Sequence, residues 1–243
     1  MHHVVLDRWS RGASWLHRRD ARAKTLAAVT FLIALATAQR GFAVISGTYS
    51  VLILAAILGA RLPVWGALKR AAVVLPFTLV FALINVAAGE PVRAAILVVK
   101  SYLSALAVLV LVSTTPLADL LRGLERMGVP RYLLMVVQFL YRYLFVISEE
   151  AQHMRAAAQA KGGSAARAIF NRGKFSAAAG ALAVLFARSY GHAEGIHQAM
   201  LARGFQGHFR TLSTRSFGKA DAVFVAAAIL LLTGTRVAVR VWS

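Results

Sequence analysis

The chain has 243 residues, a formal net charge of +19 and no cysteine. Its residues are 59% hydrophobic and its mean hydropathy is +0.65, whereas a soluble domain is about 45–50% apolar, so the composition predicts a membrane protein. The long apolar runs carry almost no charge, so the basic residues lie between them. Such basic segments are typical of the cytoplasmic side of a membrane protein rather than of a nucleic-acid binder. The lack of cysteine excludes disulfide and thiolate chemistry.

Residues 1–24 predict a basic, amphipathic, cytoplasmic N-terminus with six Lys or Arg residues. Trp15 and Leu16 are expected in the interfacial layer of the membrane, where amphipathic and aromatic groups are enriched. The stretch has no apolar core typical of a cleavable signal peptide, so insertion is expected to depend on internal spans.

Four apolar runs then predict a four-helix membrane region over residues 25–113, with spans at 25–38, 42–59, 71–88 and 92–112. The short break at 39–41 predicts a tight helical hairpin, and residues 61–70 predict a basic loop. Pro76 predicts a kink, because proline cannot donate the helical hydrogen bond to the preceding turn. Residues 220–243 predict a C-terminal transmembrane helix.

Residues 114–219 predict a module of amphipathic helices. Leucines at i, i+3, i+4 and i+7, from Leu117 to Leu124, indicate a short helix. Thr115 is its predicted N-cap and Pro116 its first residue, and Gly128 and Pro130 are expected to end it. Residues 131–161 and 175–203 each predict a long helix with an apolar first half and a polar second half. The first would be about 46 Å long, more than the roughly 30 Å hydrocarbon core, so part of it should leave the membrane. Whether residues 131–148 and 175–187 are true spans stays open.

The distribution of charge between the runs predicts the orientation. Four spans before residue 113 place the N-terminus, residues 61–70 and residues 114–219 on one side, with six, three and fourteen Lys or Arg residues respectively. That side is expected to be cytoplasmic. Arg236 and Arg240 near the C-terminus fit this orientation less well. The overall prediction is an all-α fold, a polytopic membrane helical bundle with a cytoplasmic module of long amphipathic helices.

The two long predicted helices end alike. Arg203 precedes Gly204, and Lys161 precedes Gly162, so each helix has a cation at its C-terminal end followed by the residue that best closes a helix. An arginine fork can bind the carboxylates and carbonyls of a protein partner, while apolar side chains supply affinity. The expected apolar face consists of Leu120, Leu124, Ile196, Met200 and Leu201. The same cations could equally cap helices at the membrane surface, and the spacing does not decide between these interpretations.

Lys100 lies within the fourth predicted span and allows two interpretations. A cation inside a span is a candidate functional residue. Alternatively it snorkels or hydrogen-bonds a neighbouring helix, which is favoured because no acidic residue lies within another span to pair with it. The functional interpretation would make the chain a self-contained polytopic channel or enzyme, with Lys100, Glu90 and the helix after Arg131 lining a site.

No motif predicts catalysis, a cofactor or a resident metal. The sequence has no GxxxxGK[ST], HExxH or CxxC motif and no serine elbow, so ATP hydrolysis by this chain is not expected. His192 and His197 are five residues apart and diverge around a helix, which disfavours metal binding. A membrane anchor for nucleic acid is a further alternative, and would predict binding with steep salt dependence.

Three stretches resemble the coupling-region signatures of energy-coupling factor (ECF) transporter T components, most like the CbiQ type of cobalt uptake systems. They are STTPLADLLRGLERMGVP, EEAQHMRAAAQAKGG and AMLARGFQG, and the likeness covers about residues 24–240. The resemblance implies a non-catalytic, multi-pass scaffold in the bacterial inner membrane. Its expected partners are ABC-type ATPase subunits, a separate substrate-binding membrane subunit and the lipid bilayer, with no nucleic acid.

The resemblance also implies which residues contact the ATPases, because the family's two signature arginines lie at the ends of its coupling helices. The matching positions here are Ala160, Lys161, Gly162, Ala202, Arg203 and Gly204, with Leu120, Leu124 and Met200 on the apolar face. Lys161 departs from the family's arginine: it keeps the charge and loses the bidentate fork. Arg188 is a secondary candidate, because it lies in the middle of a helix. The sequence leaves open whether the cargo is cobalt, nickel or a vitamin.

Overall fold

The computed structural model describes residues 12, 14–38, 41–160, 172–207 and 217–242, and over these residues it contains helices and turns and no strand. The all-α prediction is confirmed. The helices are α1 (Ala21–Ala36), α2 (Phe42–Gly59), α3 (Val64–Ala71), α4 (Leu75–Ala87), α5 (Pro91–Thr114), α6 (Leu117–Arg126), α7 (Arg131–Ala160), α8 (Arg172–Ala202) and α9 (Lys219–Trp242). They form two compact units, Met1–Gly128 with Ser213–Ser243 and, separately, Val129–Leu212.

Five stretches of the described residues are long and apolar enough to cross a bilayer. They are Phe42–Gly59, Val64–Ala87, Pro91–Thr114, Arg131–Ala160 and Lys219–Val239. The chain is therefore a polytopic membrane protein, as predicted. Helix α1 has 16 residues, about 24 Å, which is shorter than the hydrocarbon core. The predicted first span is accordingly a helix, but it is not among these five.

Helix α5 is the centre of the first unit, because α1, α2, α3 and α4 all pack on it, while α9 packs on α1 and α2. Leu35, Tyr49 and Ile57 have no exposed surface. The Tyr49 hydroxyl donates a hydrogen bond of 3.2 Å to the carbonyl oxygen of Leu232 on α9. A buried hydroxyl in an apolar bundle needs such a partner, so this bond fixes α9 against α2.

The turn before α2 requires a glycine. Gly41 has φ +61°, and a Cβ placed on it would lie 2.2 Å from Cγ1 of Val239 on α9. Both the left-handed backbone and the lack of space therefore exclude a side chain. Five residues separate α1 from α2, and both helices pack on α5 and α9.

The predicted basic loop at 61–70 is wrong, because α3 begins at Val64. Ala67 and Ala71 are four residues apart and both are buried, so they form the packed face of a helix. Lys69 lies 5.1 Å from the ring centroid of Trp65, one turn earlier on the exposed face. The buried alanine face leaves Lys69 on the exposed side of the helix.

Pro76 perturbs the third predicted span at the preceding turn. Residues Ala72–Val74 form a 3₁₀ segment between α3 and α4. Proline has no N–H to donate to the carbonyl of Ala72, and the N–H of Leu75 takes that acceptor instead. The helical path continues from Val64 to Ala87 with this local tightening.

Part of the predicted surface segment packs into the bundle. Leu16 is 7% exposed and belongs to the hydrophobic core, so the expectation that it lies in the interfacial layer is wrong. Asp20 caps α1 by accepting a 2.8 Å hydrogen bond from the N–H of Arg22. Lys24 is buried, and its Nζ donates to the carbonyl oxygen of Thr114 at 2.7 Å. Thr114 lies 90 residues after Lys24 in the chain, so local sequence does not reveal this hydrogen bond.

Lys100 hydrogen-bonds a neighbouring helix, as the favoured interpretation predicts. Its Nζ donates to the carbonyl oxygen of Ala36 at 3.0 Å, and Arg236 donates to Oγ1 of Thr37 at 2.5 Å. Two cations thus lie at the C-terminal end of α1, where the helix dipole favours them. Glu90 pairs with Arg93 instead. The ammonium of Lys100 therefore has a structural acceptor at a helix end.

Helix α6 packs on α1, and its N-cap differs from the prediction. The N-cap is Pro116, whose carbonyl accepts from the N–H groups of Asp119 and Leu120. Thr115 is therefore one residue too early to cap the helix, and its buried Oγ1 has no hydrogen-bond partner within the described residues. At the other end Gly128 has φ +100°, which confirms it as the residue that closes α6.

Candidate protein-docking site

The second unit consists mainly of the two long helices α7 and α8, with 30 and 31 residues. At a rise of about 1.5 Å per residue, they are about 45 and 46 Å long. Helix α8 begins at Arg172, three residues before the predicted start. Their first halves expose large apolar side chains, including Tyr132, Leu140, Leu182 and Phe186. Helix α7 is one of the five possible spans, whereas α8 is not.

The C-terminal end of α8 has a sharply defined geometry. Gly204 has φ +78°, its N–H donates to the carbonyl of Leu201 at 2.9 Å, and the N–H of Phe205 donates to the carbonyl of Met200 at 3.0 Å. These two bonds and the left-handed glycine form a Schellman motif. The predicted stop at Gly204 is confirmed. The motif holds the backbone of Arg203 at the helix end with its side chain exposed.

The end of α7 is described as far as Ala160, which is exposed. Lys161 and Gly162, the remaining predicted contact residues on this helix, lie outside the described residues. Of the two cations predicted at the helix ends, Arg203 is the one that the structure describes. No hydrogen bond or ion pair joins its guanidinium to any residue in the described ranges, so its donors are available to a partner.

A groove of about 310 Å³ runs between α7 and α8. Its apolar lining includes Phe139 and Tyr143 on α7, whose rings stack with centroids 6.1 Å apart. Ile196 and Met200 line it from α8 and are partly buried, whereas Leu201 is 53% exposed. The predicted apolar face is therefore divided: two of its α8 members face the groove and one faces outward.

One ion pair crosses this groove, between the guanidinium of Arg188 and the carboxylate of Glu150. The side chains are 58% and 32% exposed, so solvent screening limits its contribution to about 1 kcal/mol or less. Arg188 thus has a partner within its own unit, which makes it less available than Arg203. Sequence analysis missed Glu150, and only its place in the polar half of α7 could have indicated it.

Leu120 and Leu124, the other predicted contact residues, belong to the first unit and are partly buried on α6. The buried side of α6 is formed by Leu121 and Gly123. A Cβ on Gly123 would approach the Cβ of Ala21 within 3.2 Å, so the two helices meet closely there. In the predicted leucine stripe, Leu121 is therefore buried in the bundle, whereas Leu120 and Leu124 are only partly buried.

No group of three or more His, Cys, Asp or Glu side chains within the described ranges could hold a metal ion. The geometry instead presents a helix end with an exposed arginine next to a partly apolar groove. Comparison with known proteins agrees with a membrane transport component: the family model described as "Cobalt transport protein" (CbiQ) matches residues 12–213. The chain belongs to the CbiQ cobalt transport protein family.

A similar curated CbiQ protein is the "Cobalt transport protein CbiQ" of Rhodobacter capsulatus. It is 36% identical over 132 residues, which cover 54% of this chain and 52% of that protein. The match therefore spans about half the length of the curated relative. The resemblance to the CbiQ type predicted from the three sequence stretches is confirmed at the level of the family.

Proposed function

We propose that this chain is the membrane scaffold of an ECF-type importer. In this proposal it transmits ATP-driven motion from cytoplasmic ABC-type ATPases to a separate substrate-binding membrane subunit, in a bacterial inner membrane. The cargo is cobalt, as the name of the family suggests. ATP hydrolysis takes place on the ATPases, and the present chain is not an enzyme.

The observation that carries the proposal is the end of α8. A Schellman motif closes the helix at Gly204, and the exposed guanidinium of Arg203 has no partner among the described residues. Five donors on a rigid fork at a fixed helix end are suited to bind carboxylates and carbonyl oxygens in a groove of another protein.

The length of α7 and α8 supports the mechanical part of the proposal. A helix of about 45 Å exceeds the hydrocarbon core, so an apolar first half in lipid leaves a polar second half in the cytoplasm. Closure of the ATPase pair would move the ends of α7 and α8 together, and the continuous helices would carry that movement into the membrane. The groove between them, lined by Met200 and Ile196, allows repacking, because methionine adapts to changed neighbours.

Charge reversal at the end of α8 tests the proposal. Arg203→Glu is expected to abolish cobalt uptake and to prevent co-purification of the ATPases, because a carboxylate would face the acceptors that arginine binds. Membrane insertion and the yield of the chain should not change, since Arg203 is exposed. Uptake of radioactive cobalt by cells and pull-down from mild detergent are the measurements.

Arg93→Glu is a suitable control, because Arg93 is also exposed and lies on the predicted opposite side of the membrane. It should leave both ATPase recovery and uptake near the original level. Unchanged uptake and assembly in Arg203→Glu would remove this residue from the mechanism. Recovery of the original chain without any ATPase in several mild detergents would contradict the scaffold itself.

A further inference from the structure

An apolar groove of about 400 Å³ lies within the first unit. Its walls are formed by residues of four helices, α1, α2, α5 and α9. Helices α5 and α9 each pack on both α1 and α2, so every one of the four contacts at least two of the others. The groove is therefore a gap inside a packed membrane bundle, and the question is what fills it.

A contact between α2 and α9 closes the groove at one end. There the Tyr49 hydroxyl donates its 3.2 Å hydrogen bond to the carbonyl oxygen of Leu232. Leu232 and Ile53, four residues after Tyr49, both line the groove. From this point the lining continues to Gly59, the last residue of α2, and to Phe224 on α9. The gap between the two helices thus begins where the hydrogen bond joins them and continues to the end of α2.

Small residues form the facing walls of this gap. They are Ala55, Ala56 and Gly59 on α2, and Ala227 and Ala228 on α9. Small residues in membrane helices usually allow two helices to approach closely, but here they face an open groove. An unfilled gap forfeits dispersion contacts, and an apolar cavity does not hold water. An apolar occupant is therefore expected.

The groove extends through the depth of one leaflet. It is lined from Lys24 to Phe31 on α1 and from Phe224 to Leu232 on α9, which is about 10–12 Å along each helix and less than half of the roughly 30 Å hydrocarbon core. These residues lie near the ends of the helices on the side predicted to be cytoplasmic. Trp15 also lines the groove, is 56% exposed and packs edge-on against Phe224 at 5.7 Å. Tryptophan is enriched at the level of the headgroups, so it marks the mouth of the groove.

The polar side chains at the groove have partners within the chain. Among the described lining residues, Lys24 has a charged side chain and Thr114 has a hydroxyl. Nζ of Lys24 donates to the carbonyl oxygen of Thr114 at 2.7 Å, and the Thr114 hydroxyl donates to the carbonyl oxygen of Val110 at 2.8 Å. The groove therefore offers its occupant mainly apolar contact and does not select a charged headgroup.

We propose that this groove holds an acyl chain of a phospholipid from the cytoplasmic leaflet. A helix of a partner fits less well, because a helix is about 10–12 Å wide along its whole length, whereas the contact at Tyr49 closes the gap. A flexible chain that enters beside Trp15 would contact the small residues of both α2 and α9 and fix their separation. The proposal does not depend on the partners proposed above.

Photocrosslinking of the full chain in lipid vesicles tests it. The vesicles consist of palmitoyl-oleoyl phosphatidylcholine with a small fraction of the same lipid carrying a diazirine on its acyl chain. After illumination, mass spectrometry should find adducts on Leu52 and Ala56 of α2, inside the groove. Phe77 on α4 is the internal reference, because it is 69% exposed and lies outside the groove. Lipid that only surrounds the bundle would label Phe77 without these α2 residues.

Filling the groove from either wall provides the decisive comparison. Ala227→Phe should reduce the α2 adducts relative to Phe77 by more than about tenfold, because its ring occupies the gap. Ala226→Phe is the matched control, since Ala226 is exposed on the same helix outside the groove, and it should leave the adducts unchanged. Ala55→Phe, with Leu54→Phe as its control, repeats the comparison from α2 with adducts on α9 as the readout, so one variant that fails to fold does not prevent a result.

Three outcomes would overturn the proposal. The first is labelling of Phe77 without labelling of the groove, and the second is an unchanged yield of groove adducts in the filled variants. The third concerns the headgroup. A phosphatidylglycerol probe should label the groove within about twofold of phosphatidylcholine, and a preference above about tenfold would show that charge, rather than the acyl chain, determines binding.

Discussion

In the first unit Leu35, Tyr49 and Ile57 have no exposed surface, whereas in the second unit Leu134 is the buried apolar residue among those described. Phe186 on α8 is 74% exposed, and Tyr132 on α7 is 70% exposed. The units therefore differ in packing as well as in how apolar their helices are, since α7 has a mean hydropathy of 1.3 and the possible spans of the first unit have values of 2.0 to 2.4. The first surrounds a central helix, and the second consists mainly of two long helices with uncovered apolar faces.

This difference separates what holds the protein together from what it offers to other molecules. Helix packing in a membrane depends on close van der Waals contact and on hydrogen bonds between helices. The first unit has a packed core, and Tyr49, Lys24 and Lys100 donate hydrogen bonds to other helices. Exposed apolar faces of the size found on α7 and α8 require lipid or a protein to cover them. We therefore expect mutations to affect stability mainly in the first unit and assembly mainly in the second.

The largest expected effect is on the core. Ile57→Ala should lower the free energy of unfolding by about 3 kcal/mol, because it removes packed atoms from a fully buried site. Leu182→Ala, at a site that is 65% exposed, should change it by about 0.5 kcal/mol or less. Unfolding of both variants by denaturant in the same detergent gives the comparison. Equal losses would show that the second unit has a packed core of its own.

A smaller effect is expected at the end of α8. Gly204→Ala should cost roughly 1–2 kcal/mol locally, because alanine is strained at φ +78°. Gly191→Ala on the same helix should instead stabilise by about 0.5–1 kcal/mol, since a Cβ there meets nothing within 4 Å. Hydrogen exchange of the amides of Gly204 and Phe205 should be faster in the first variant. The same sign for both variants would contradict the closing role of Gly204.

The smallest effect is expected for the ion pair between Glu150 and Arg188. A double-mutant cycle with Glu150→Gln and Arg188→Gln should give a coupling energy of about 0.2–1 kcal/mol, because both side chains are partly exposed. The coupling should decrease at high salt. A value well above this range, unaffected by salt, would mean that the groove between α7 and α8 is less hydrated than its exposure indicates.

Local sequence determined most of the helices. Helix α7 begins at Arg131 as predicted and is described as far as Ala160, and Gly204 and Gly128 close their helices as predicted. Helix formation and termination depend on neighbours within a few residues, so they can be derived from spacing and glycine positions. For the candidate docking site, the sequence predicted the position of Arg203 at a helix end, and the structure added its exposure.

Tertiary structure alone decided which distant groups meet. The sequence favoured a hydrogen bond from Lys100 to a neighbouring helix but did not identify Ala36 as the acceptor. It missed Glu150 as the partner of Arg188, and it placed Leu16 at the surface although the core covers it. Each case depends on the packing of helices far apart in the chain. The residue identities set the charge and shape of each helix, and the assembled bundle selects the partner that each polar group finds.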